Sequence, residues 1–410
     1  MSSPVDTDGV ALATRRIQSF PAGGRCSAGA AVPRPVRMTT LPTRMGDNGP
    51  RMEPALQLPT RREVIAQARS RGRRVVAVLP YHYPRALLRA YGFHPIELWG
   101  PPRVSRDQGS RHFPPYTCDI VVRATSFLLQ GGLDVVDAIL VPHTCDALQG
   151  MGSVLGDFLH PHPPVLTLYL PRGRRASDRD FLVAELRRLG EALAGLSGAQ
   201  PTAAAWEEAF AAEGAADAAL ADLYRRRPRL AVTDRAFYTA VRAREYLPAE
   251  EFGDLATSLP EGEPPAGVPL MLSGIVADPP DLFDHLAAVG ARVVADDLAG
   301  GERRLYPPAG DGDPFTRLAD RLIASPPDPT RGSPIAERAA HLCRRMEASG
   351  ARGLVVYDVK FCEPELFDVP LLRSHLAESG FPLLHVEVEM GEDLGQQTLT
   401  RLEAFVETLR

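Results

Sequence analysis

The stretch Val75-Val76-Ala77-Val78-Leu79 decides the fold class, because it is apolar without interruption and ends at Pro80. A strand that is apolar on both faces is typical of a parallel sheet that helices cover on both sides. Further continuous apolar runs follow at residues 138–141 and 165–170, and further strands are predicted at 95–99, 268–272, 292–295, 354–358 and 383–388. Helical patterns separate most of these runs, which predicts an α/β protein.

Composition divides the chain into four parts. Residues 1–55 are rich in Pro, Gly, Ser, Thr and Arg without hydrophobic periodicity, which predicts a disordered tail. Residues 56–177 and 260–410 are each predicted to form a Rossmann-like, flavodoxin-like lobe with a parallel sheet. Residues 178–259 are Ala-rich and helical in pattern, without strand signals, and are predicted to be a helical insertion or linker. Two such lobes commonly hold a ligand between the carboxyl ends of their strands.

The overall composition excludes several classes of protein. The chain has 410 residues and a formal net charge of −5, which does not suit a protein that coats nucleic acid or an anionic membrane. No run approaches 18 consecutive apolar residues, so no membrane span is expected. Five cysteines are too few for a disulfide scaffold and indicate a reducing, cytoplasmic location. The absence of a Gly-rich phosphate loop argues against ATP hydrolysis by the chain itself.

Three cysteines lie in loops where an α/β protein places its ligands. Cys118 comes just before a helix, whereas Cys145 and Cys362 each follow a buried strand. Helix N-termini favour thiolates, and three thiolates from two lobes would suit a soft metal site, iron above all. The cysteines have no local spacing motif, so three buried and inert thiols are the alternative. Cys343 is predicted to belong to the core of a helix, and Cys26 lies in the tail.

The 46 basic residues include a single lysine, Lys360, which stands two positions before Cys362. Lysine carries a compact ammonium that arginine cannot reproduce, so a site with that requirement would retain it. Alternatively, Lys360 has been retained by chance, or it forms a structural ion pair with Glu363 or Asp296.

Several arginines follow strand ends and could contact the phosphates of a large anionic substrate. The alternative for a chain so rich in arginine is a solvated surface. The residues concerned are Arg172, Arg174, Arg175, Arg303 and Arg304.

These loops resemble those of the 2-hydroxyacyl-CoA dehydratase / benzoyl-CoA reductase subunit family over roughly residues 60–410. The resemblance rests on several short motifs in matching order. They are Leu87-Leu88-Arg89-Ala90, Gly92-Phe93-His94-Pro95, Val141-Pro142-His143-Thr144-Cys145-Asp146, Leu272-Ser273-Gly274, Val293-Val294-Ala295-Asp296-Asp297, Val359-Lys360-Phe361-Cys362-Glu363-Pro364 and Thr400-Arg401-Leu402-Glu403-Ala404-Phe405.

The resemblance implies a [4Fe-4S] cluster held between two lobes by Cys118, Cys145 and Cys362. It also implies an acyl-CoA substrate, a related second subunit in a heterodimer, and a separate ATP-dependent iron–sulfur activator. In such dehydratases one electron added to the thioester carbonyl gives a ketyl radical anion that expels the 2-hydroxyl group. The matching motifs also imply that Lys360 and Ser273 are catalytic residues.

Some positions depart from the family pattern. Arg85 follows Pro84 where an acidic residue is frequent, and Leu298 follows the paired aspartates where many members have cysteine. The resemblance as a whole predicts the iron–sulfur subunit of a radical 2-hydroxyacyl-CoA dehydratase-type enzyme. A benzoyl-CoA reductase-type subunit and a non-catalytic electron-relay partner stay open as alternatives. So does a zinc or metal-free binding protein on the same fold.

Overall fold

The structure, a computed structural model, describes residues 56–101 and 103–410 of the chain. The tail predicted for residues 1–55, with Cys26 in it, lies outside these residues. The described strands form two separate sheets of four strands, and every strand pair in both sheets is parallel. This confirms the predicted α/β class with two parallel-sheet lobes.

The first sheet has the strand order β2-β1-β3-β4. Its strands are β1 (Arg74–Val78), β2 (Phe93–Glu97), β3 (Ala138–His143) and β4 (Val165–Tyr169). Its helices are α1 (Arg61–Ser70), α2 (Arg85–Ala90), α3 (Asp119–Leu129) and α4 (Asp146–Ser153), and α4 continues as a π-helical segment, Val154–Leu159.

Four consecutive helices follow the first sheet without an intervening strand, as the Ala-rich composition predicted. They are α5 (Ala176–Ser197), α6 (Ala203–Arg226), α7 (Asp234–Ala243) and α8 (Ala249–Ser258). The described residues belong to a single compact unit, so the domain boundaries at 177/178 and 259/260 stay a prediction.

The second sheet repeats the pattern of the first, with the order β6-β5-β7-β8. Its strands are β5 (Val268–Gly274), β6 (Ala291–Leu298), β7 (Gly353–Val359) and β8 (Leu383–Val388). Its helices are α9 (Asp281–Ala288), α10 (Pro314–Ile323), α11 (Ile335–Ser349), α12 (Glu363–Glu378) and α13 (Gln396–Thr408).

Each sheet reverses its strand order between its first and third strands, which are β1 and β3 in one and β5 and β7 in the other. Loops diverge at such a point and leave a crevice outside the carboxyl ends of the strands. Loops from both sheets meet there in one apolar group, which we call the junction cluster. Its members are Tyr81, Trp99, Cys118, Ile120, Ile275, Val276, Ala299, Val359, Cys362 and Met390.

A buried carboxylate beside the junction cluster ties the two sheets together. Glu97 ends β2 and accepts hydrogen bonds from Tyr83 Oη and Arg85 Nη2, each at 2.9 Å, and from Trp99 Nε1 at 3.1 Å. Arg304, which follows β6, donates to the same carboxylate through both terminal nitrogens. Burial alone would raise the pKa of Glu97, but Arg304 and then Arg85 and Tyr83 lower that pKa to about 2.

We expect Arg304→Met to lower the free energy of unfolding by about 3 kcal/mol, because the change leaves a buried carboxylate without its bidentate partner. The stabilisation by Glu97 is complete above its ordinary pKa of 4.5 and is lost as the pH falls towards about 2. Urea unfolding at pH 7 measures the effect. The exposed Arg344 provides the control, Arg344→Met, which should change stability by less than about 0.5 kcal/mol. Equal effects of the two substitutions would contradict this account of Glu97.

Candidate functional site

The three candidate cysteines share one local position: each is the residue immediately before a helix. Cys118 precedes α3, Cys145 precedes α4 and Cys362 precedes α12, and none of the three side chains makes a capping hydrogen bond. Ser, Thr, Asp and Asn are the usual residues at this position, where they accept from free backbone N–H groups. A thiolate placed there is stabilised by the same N–H groups and by the helix dipole.

The fold brings two of these cysteines together and the third close to them. Cys118 and Cys362 both lie in the junction cluster, and Ala147, in the first turn of the helix that follows Cys145, packs against this cluster. The backbone N–H of Asp119 donates to the carbonyl oxygen of Lys360 at 3.3 Å, which joins the Cys118 and Cys362 loops directly. That the three thiols hold one cluster stays a prediction.

The surroundings of the thiols are dry. Cys118 and Cys362 are 8% and 6% exposed and lie within the junction cluster. Burial raises the pKa of the Cys145 thiol to about 12, although the backbone N–H groups of Leu148 and Ala147 oppose this. The hydrogen bond with Cys118, and then burial, raises the pKa of Cys362 as well. The Cys145 and Cys362 thiols therefore stay protonated at neutral pH unless a nearby cation compensates for the negative charge of their thiolates.

Three thiols are a donor set that is compatible with an iron–sulfur cluster. Among residues 56–101 and 103–410, no three side chains of His, Cys, Asp or Glu are arranged to hold one metal ion. A cluster places each thiolate on a different iron, so its ligands need not surround one point. Three thiols, three helix N-termini and an apolar lining are what such a group requires. Next to Cys145, both ring nitrogens of His143 and the hydroxyl of Thr144 are buried and have no hydrogen-bond partner among the residues that the structure describes.

Lys360 lies at the edge of this site. Its side chain is 39% exposed, and Nζ lies 2.5 Å from Glu389 Oε1. Arg106 Nη1 lies 3.7 Å from the other oxygen of Glu389. The carboxylate that pairs with Lys360 is thus neither Glu363 nor Asp296, the two partners considered from the sequence. Phe361, which follows Lys360, has a left-handed φ of 65°, a conformation that costs energy for a non-glycine residue.

Ser273 takes part in a buried network of charged residues. It is fully buried, donates to Asp297 Oδ2 at 2.9 Å and accepts from Arg338 Nη2 at 3.1 Å. The next residue, Gly274, has a φ of +142°, and a Cβ there would stand 2.1 Å from the carbonyl oxygen of Tyr357. Glycine is therefore required at this strand end, and the catalytic role expected for Ser273 stays a prediction.

The arginine pair Arg303-Arg304 is not on the surface. Arg303 is 1% exposed and pairs with Asp297 and Glu365, and Arg304 pairs with Glu97. Neither a solvated surface nor a phosphate contact describes them, because their guanidinium groups already neutralise buried carboxylates. The other three arginines are at least half exposed, and each lies within 4 Å of a carboxylate; they are Arg172, Arg174 and Arg175.

Sequence reasoning missed an inter-sheet contact at the end of β1. Tyr81 and His82 both have left-handed φ angles, 46° and 57°. The hydroxyl of Tyr81 donates to Asp328, and His82 Nε2 lies 3.3 Å from the same carboxylate. Arg303 Nη1 lies 3.6 Å from Asp328, so this contact joins the buried ion pairs around Glu365. The sequence does not indicate this contact, because left-handed φ angles at residues other than glycine cannot be recognised from amino-acid composition.

Two cavities lie elsewhere on the chain, and neither is lined by a cysteine. One of about 40 Å³ is bordered by His82, Tyr306 and Arg321, and another of about 260 Å³ by Arg73, Arg89 and Glu250.

Cys343 lies in α11, half-buried against the core, with its thiol 3.5 Å from Ser379 Oγ. None of the helices that the structure describes is long and apolar enough to cross a membrane.

Comparison with known proteins gives consistent results. The model of the family described as 2-hydroxyglutaryl-CoA dehydratase, D-component, matches residues 80–409. The chain is 24% identical to the (R)-phenyllactyl-CoA dehydratase beta subunit of Clostridium sporogenes, over 82% of this chain and 92% of the relative. It is 25% identical to the beta subunit of (R)-2-hydroxyglutaryl-CoA dehydratase of Acidaminococcus fermentans, over 84% and 95%. It is 24% identical to one of the subunits of benzoyl-CoA reductase of Thauera aromatica, over 81% and 89%.

Proposed function

Because the chain belongs to the 2-hydroxyglutaryl-CoA dehydratase D-component family, as its motifs predicted, we propose that it is the iron–sulfur subunit of a radical 2-hydroxyacyl-CoA dehydratase-type enzyme. The observation that supports this proposal is the position of Cys118 and Cys362 in the junction cluster, with Cys145 at the start of α4, whose Ala147 packs against that cluster. These three residues would hold a [4Fe-4S] cluster. When bound, the cluster supplies one-electron chemistry on the thioester of an acyl-CoA.

The residues of the chain have separate tasks in this proposal. The helix starts at α3, α4 and α12 direct free backbone N–H groups towards the three thiolates and reduce the cost of burying their charge. The apolar side chains of the junction cluster exclude water, which strengthens every electrostatic interaction inside it. Lys360 supplies a compact positive charge at the edge of the site, where a developing negative charge on a thioester oxygen would be stabilised.

The proposal includes two protein partners. Relatives of the chain are named as beta subunits, so we propose a related second subunit that completes a heterodimer. A separate iron–sulfur activator that hydrolyses ATP would deliver the electrons, since the chain has no phosphate-binding loop of its own. The four described cysteines are free thiols, which is compatible with the reducing cytoplasm that we propose as the location.

A second candidate function is an electron relay to the partner subunit. Two of the three cysteines are almost fully buried in apolar surroundings, and the two cavities described above are lined by other residues. A cluster so enclosed could pass electrons without contacting a substrate. A benzoyl-CoA reductase-type role, in which electrons are consumed by an aromatic ring, is the remaining alternative, supported by the likeness to the benzoyl-CoA reductase of Thauera aromatica.

Reconstitution under anaerobic conditions tests these candidates. The chain, its partner subunit and the activator are expected to convert a 2-hydroxyacyl-CoA to the enoyl-CoA with ATP and a strong reductant, measured by chromatography of the CoA esters. Product from benzoyl-CoA instead would favour the reductase alternative. In the relay case the activator bleaches the visible absorbance of the isolated chain, and reoxidation requires the partner. Failure of every combination to turn over or to bleach would contradict the proposal.

A further inference from the structure

A buried carboxylate close to the Cys362 loop has no role in the function proposed so far. Asp358 is the penultimate residue of β7, and its side chain is 0% exposed. Its Oδ1 atom has no hydrogen-bond partner within the described part of the chain. Its Oδ2 atom lies 3.4 Å from His385 Nε2, a long contact for a hydrogen bond. A carboxylate so poorly solvated is expensive to keep ionised in the interior.

Groups on two neighbouring elements, β8 and α12, act on Asp358. On β8, Glu387 pairs directly with Asp358 in the sheet and His385 contacts it from the same face. On α12, Glu365 acts on it through its charge, although Arg303 and Arg338 already pair with that glutamate.

Asp358 also acts electrostatically on Cys362, the residue that precedes α12. On the outer side, the guanidinium of Arg401 donates to the carbonyl oxygen of His385 at 2.6 Å and so holds the histidine strand in place.

These surroundings leave the protonation of Asp358 balanced near neutral pH. Burial first, and then the charges of Glu365 and Glu387, raise the pKa of Asp358 to about 7, while His385 opposes the rise. The electrostatic effect is also mutual. Because the charge of Asp358 raises the pKa of Cys362, additional negative charge at Cys362 must raise the proton affinity of Asp358 by the same free energy.

We propose that Asp358, with His385 as its contact to solvent, takes up one proton when a cluster held by Cys118, Cys145 and Cys362 accepts one electron. This inference rests on the proposed function, because it needs a redox group at the cysteines. The electron comes from a low-potential donor such as the activator, and the proton comes from water through His385, whose side chain is 17% exposed. The carboxylate becomes a carboxylic acid, so the net charge of the buried region is unchanged.

Coupling of this kind has a measurable consequence for the reduction potential. Below the pKa of Asp358 in the oxidised protein, the carboxyl already carries its proton and the potential does not depend on pH. Above that pKa, and up to the higher pKa of the reduced protein, each electron brings one proton. The potential then falls by about 59 mV per pH unit, which is the equivalent of a tenfold change for one electron.

An anaerobic redox titration of the full chain between pH 6 and pH 9, followed by EPR of the reduced cluster, tests the inference. We expect a pH-dependent potential in the unmodified chain and a pH-independent potential in Asp358→Asn. Glu387→Gln is the matched control: it removes the neighbouring carboxylate on the same sheet and should retain the pH dependence. Infrared difference spectra provide a second measurement, in which reduction should generate a carboxylic acid C=O band that Asp358→Asn lacks.

The possible outcomes are distinct. A chain that binds no iron contradicts the proposed function itself. A chain with a full cluster whose potential is independent of pH overturns the proton uptake alone, whatever the variant does. A pH dependence that persists in a well-folded Asp358→Asn protein assigns the proton to another group and also overturns the inference. If Asp358→Asn does not fold, the absence of the infrared band from the unmodified chain overturns it as well.

Discussion

Replacing Cys362 by alanine is expected to remove nearly all of the bound iron from the chain. Cys362 is one of the three proposed ligands, and it stands at the N-terminus of α12 within the apolar junction cluster. No other cysteine among residues 56–101 and 103–410 joins this group, since Cys343 lies in α11 and contacts Ser379. A cluster with two remaining thiolates loses a protein ligand that the dry surroundings cannot replace with water.

Cys343→Ala is the matched control for this prediction. Its thiol is half-buried in a different core, so the substitution should retain full iron and lower stability by about 1 kcal/mol at most. Iron is measured per chain after anaerobic purification, with the melting temperature of each variant as a check on folding. The account of the three-cysteine site fails if Cys362→Ala retains iron at the level of the unmodified chain.

Lys360→Met is expected to reduce turnover with the partner and activator by about 10- to 1000-fold while iron content stays nearly unchanged. This is the range for loss of one donor that stabilises a developing negative charge. Lys360 is the only lysine of the chain, and its backbone carbonyl accepts the hydrogen bond that joins the Cys118 and Cys362 loops. Lys360→Arg should be tolerated only in part, because the planar guanidinium differs in shape and hydration from an ammonium.

Glu389→Gln separates the charge of Lys360 from its ion pair. The Lys360–Glu389 pair is partly exposed, so breaking it should cost little stability. If the ammonium itself stabilises negative charge at the site, Glu389→Gln retains turnover and only Lys360→Met reduces it. Equal losses in both variants, accompanied by a lower melting temperature, would mean that the lysine serves only to hold the loop.

The sheets were predictable because their signal is local. Most of the β-strands contain a short apolar run, and the observed β8, Leu383–Val388, has the predicted bounds. Helix limits were less predictable. A proline usually marks a helix boundary, yet α12 begins at Glu363 and contains Pro370, because Pro364 fits its first turn and Pro370 is tolerated within it. The helix α10, which Asp313 caps before Pro314, buries the apolar stripe of Leu318, Ala319 and Leu322, a spacing that is typical of an amphipathic helix.

The site was predictable only in outline. Position in a loop and family resemblance identified the three cysteines, and the structure adds that each one occupies a helix N-cap. The buried ion pairs around Arg303, Arg304 and Arg338 could not be foreseen, because their partners come from distant parts of the chain. Glu97 is 207 residues from Arg304, for example. Charged residues in a sequence are expected to lie on the solvent-exposed surface. Only the tertiary fold shows that these arginines and carboxylates neutralise each other in the interior.

The most direct test of the account is the iron and acid-labile sulfide content of the anaerobically purified chain, together with its EPR spectrum after reduction. We expect a brown protein with about four irons per chain and the spectrum of a single reduced [4Fe-4S] cluster. A colourless protein that contains no iron after reconstitution, or that binds one zinc ion instead, would contradict the central claim that Cys118, Cys145 and Cys362 hold a redox cluster.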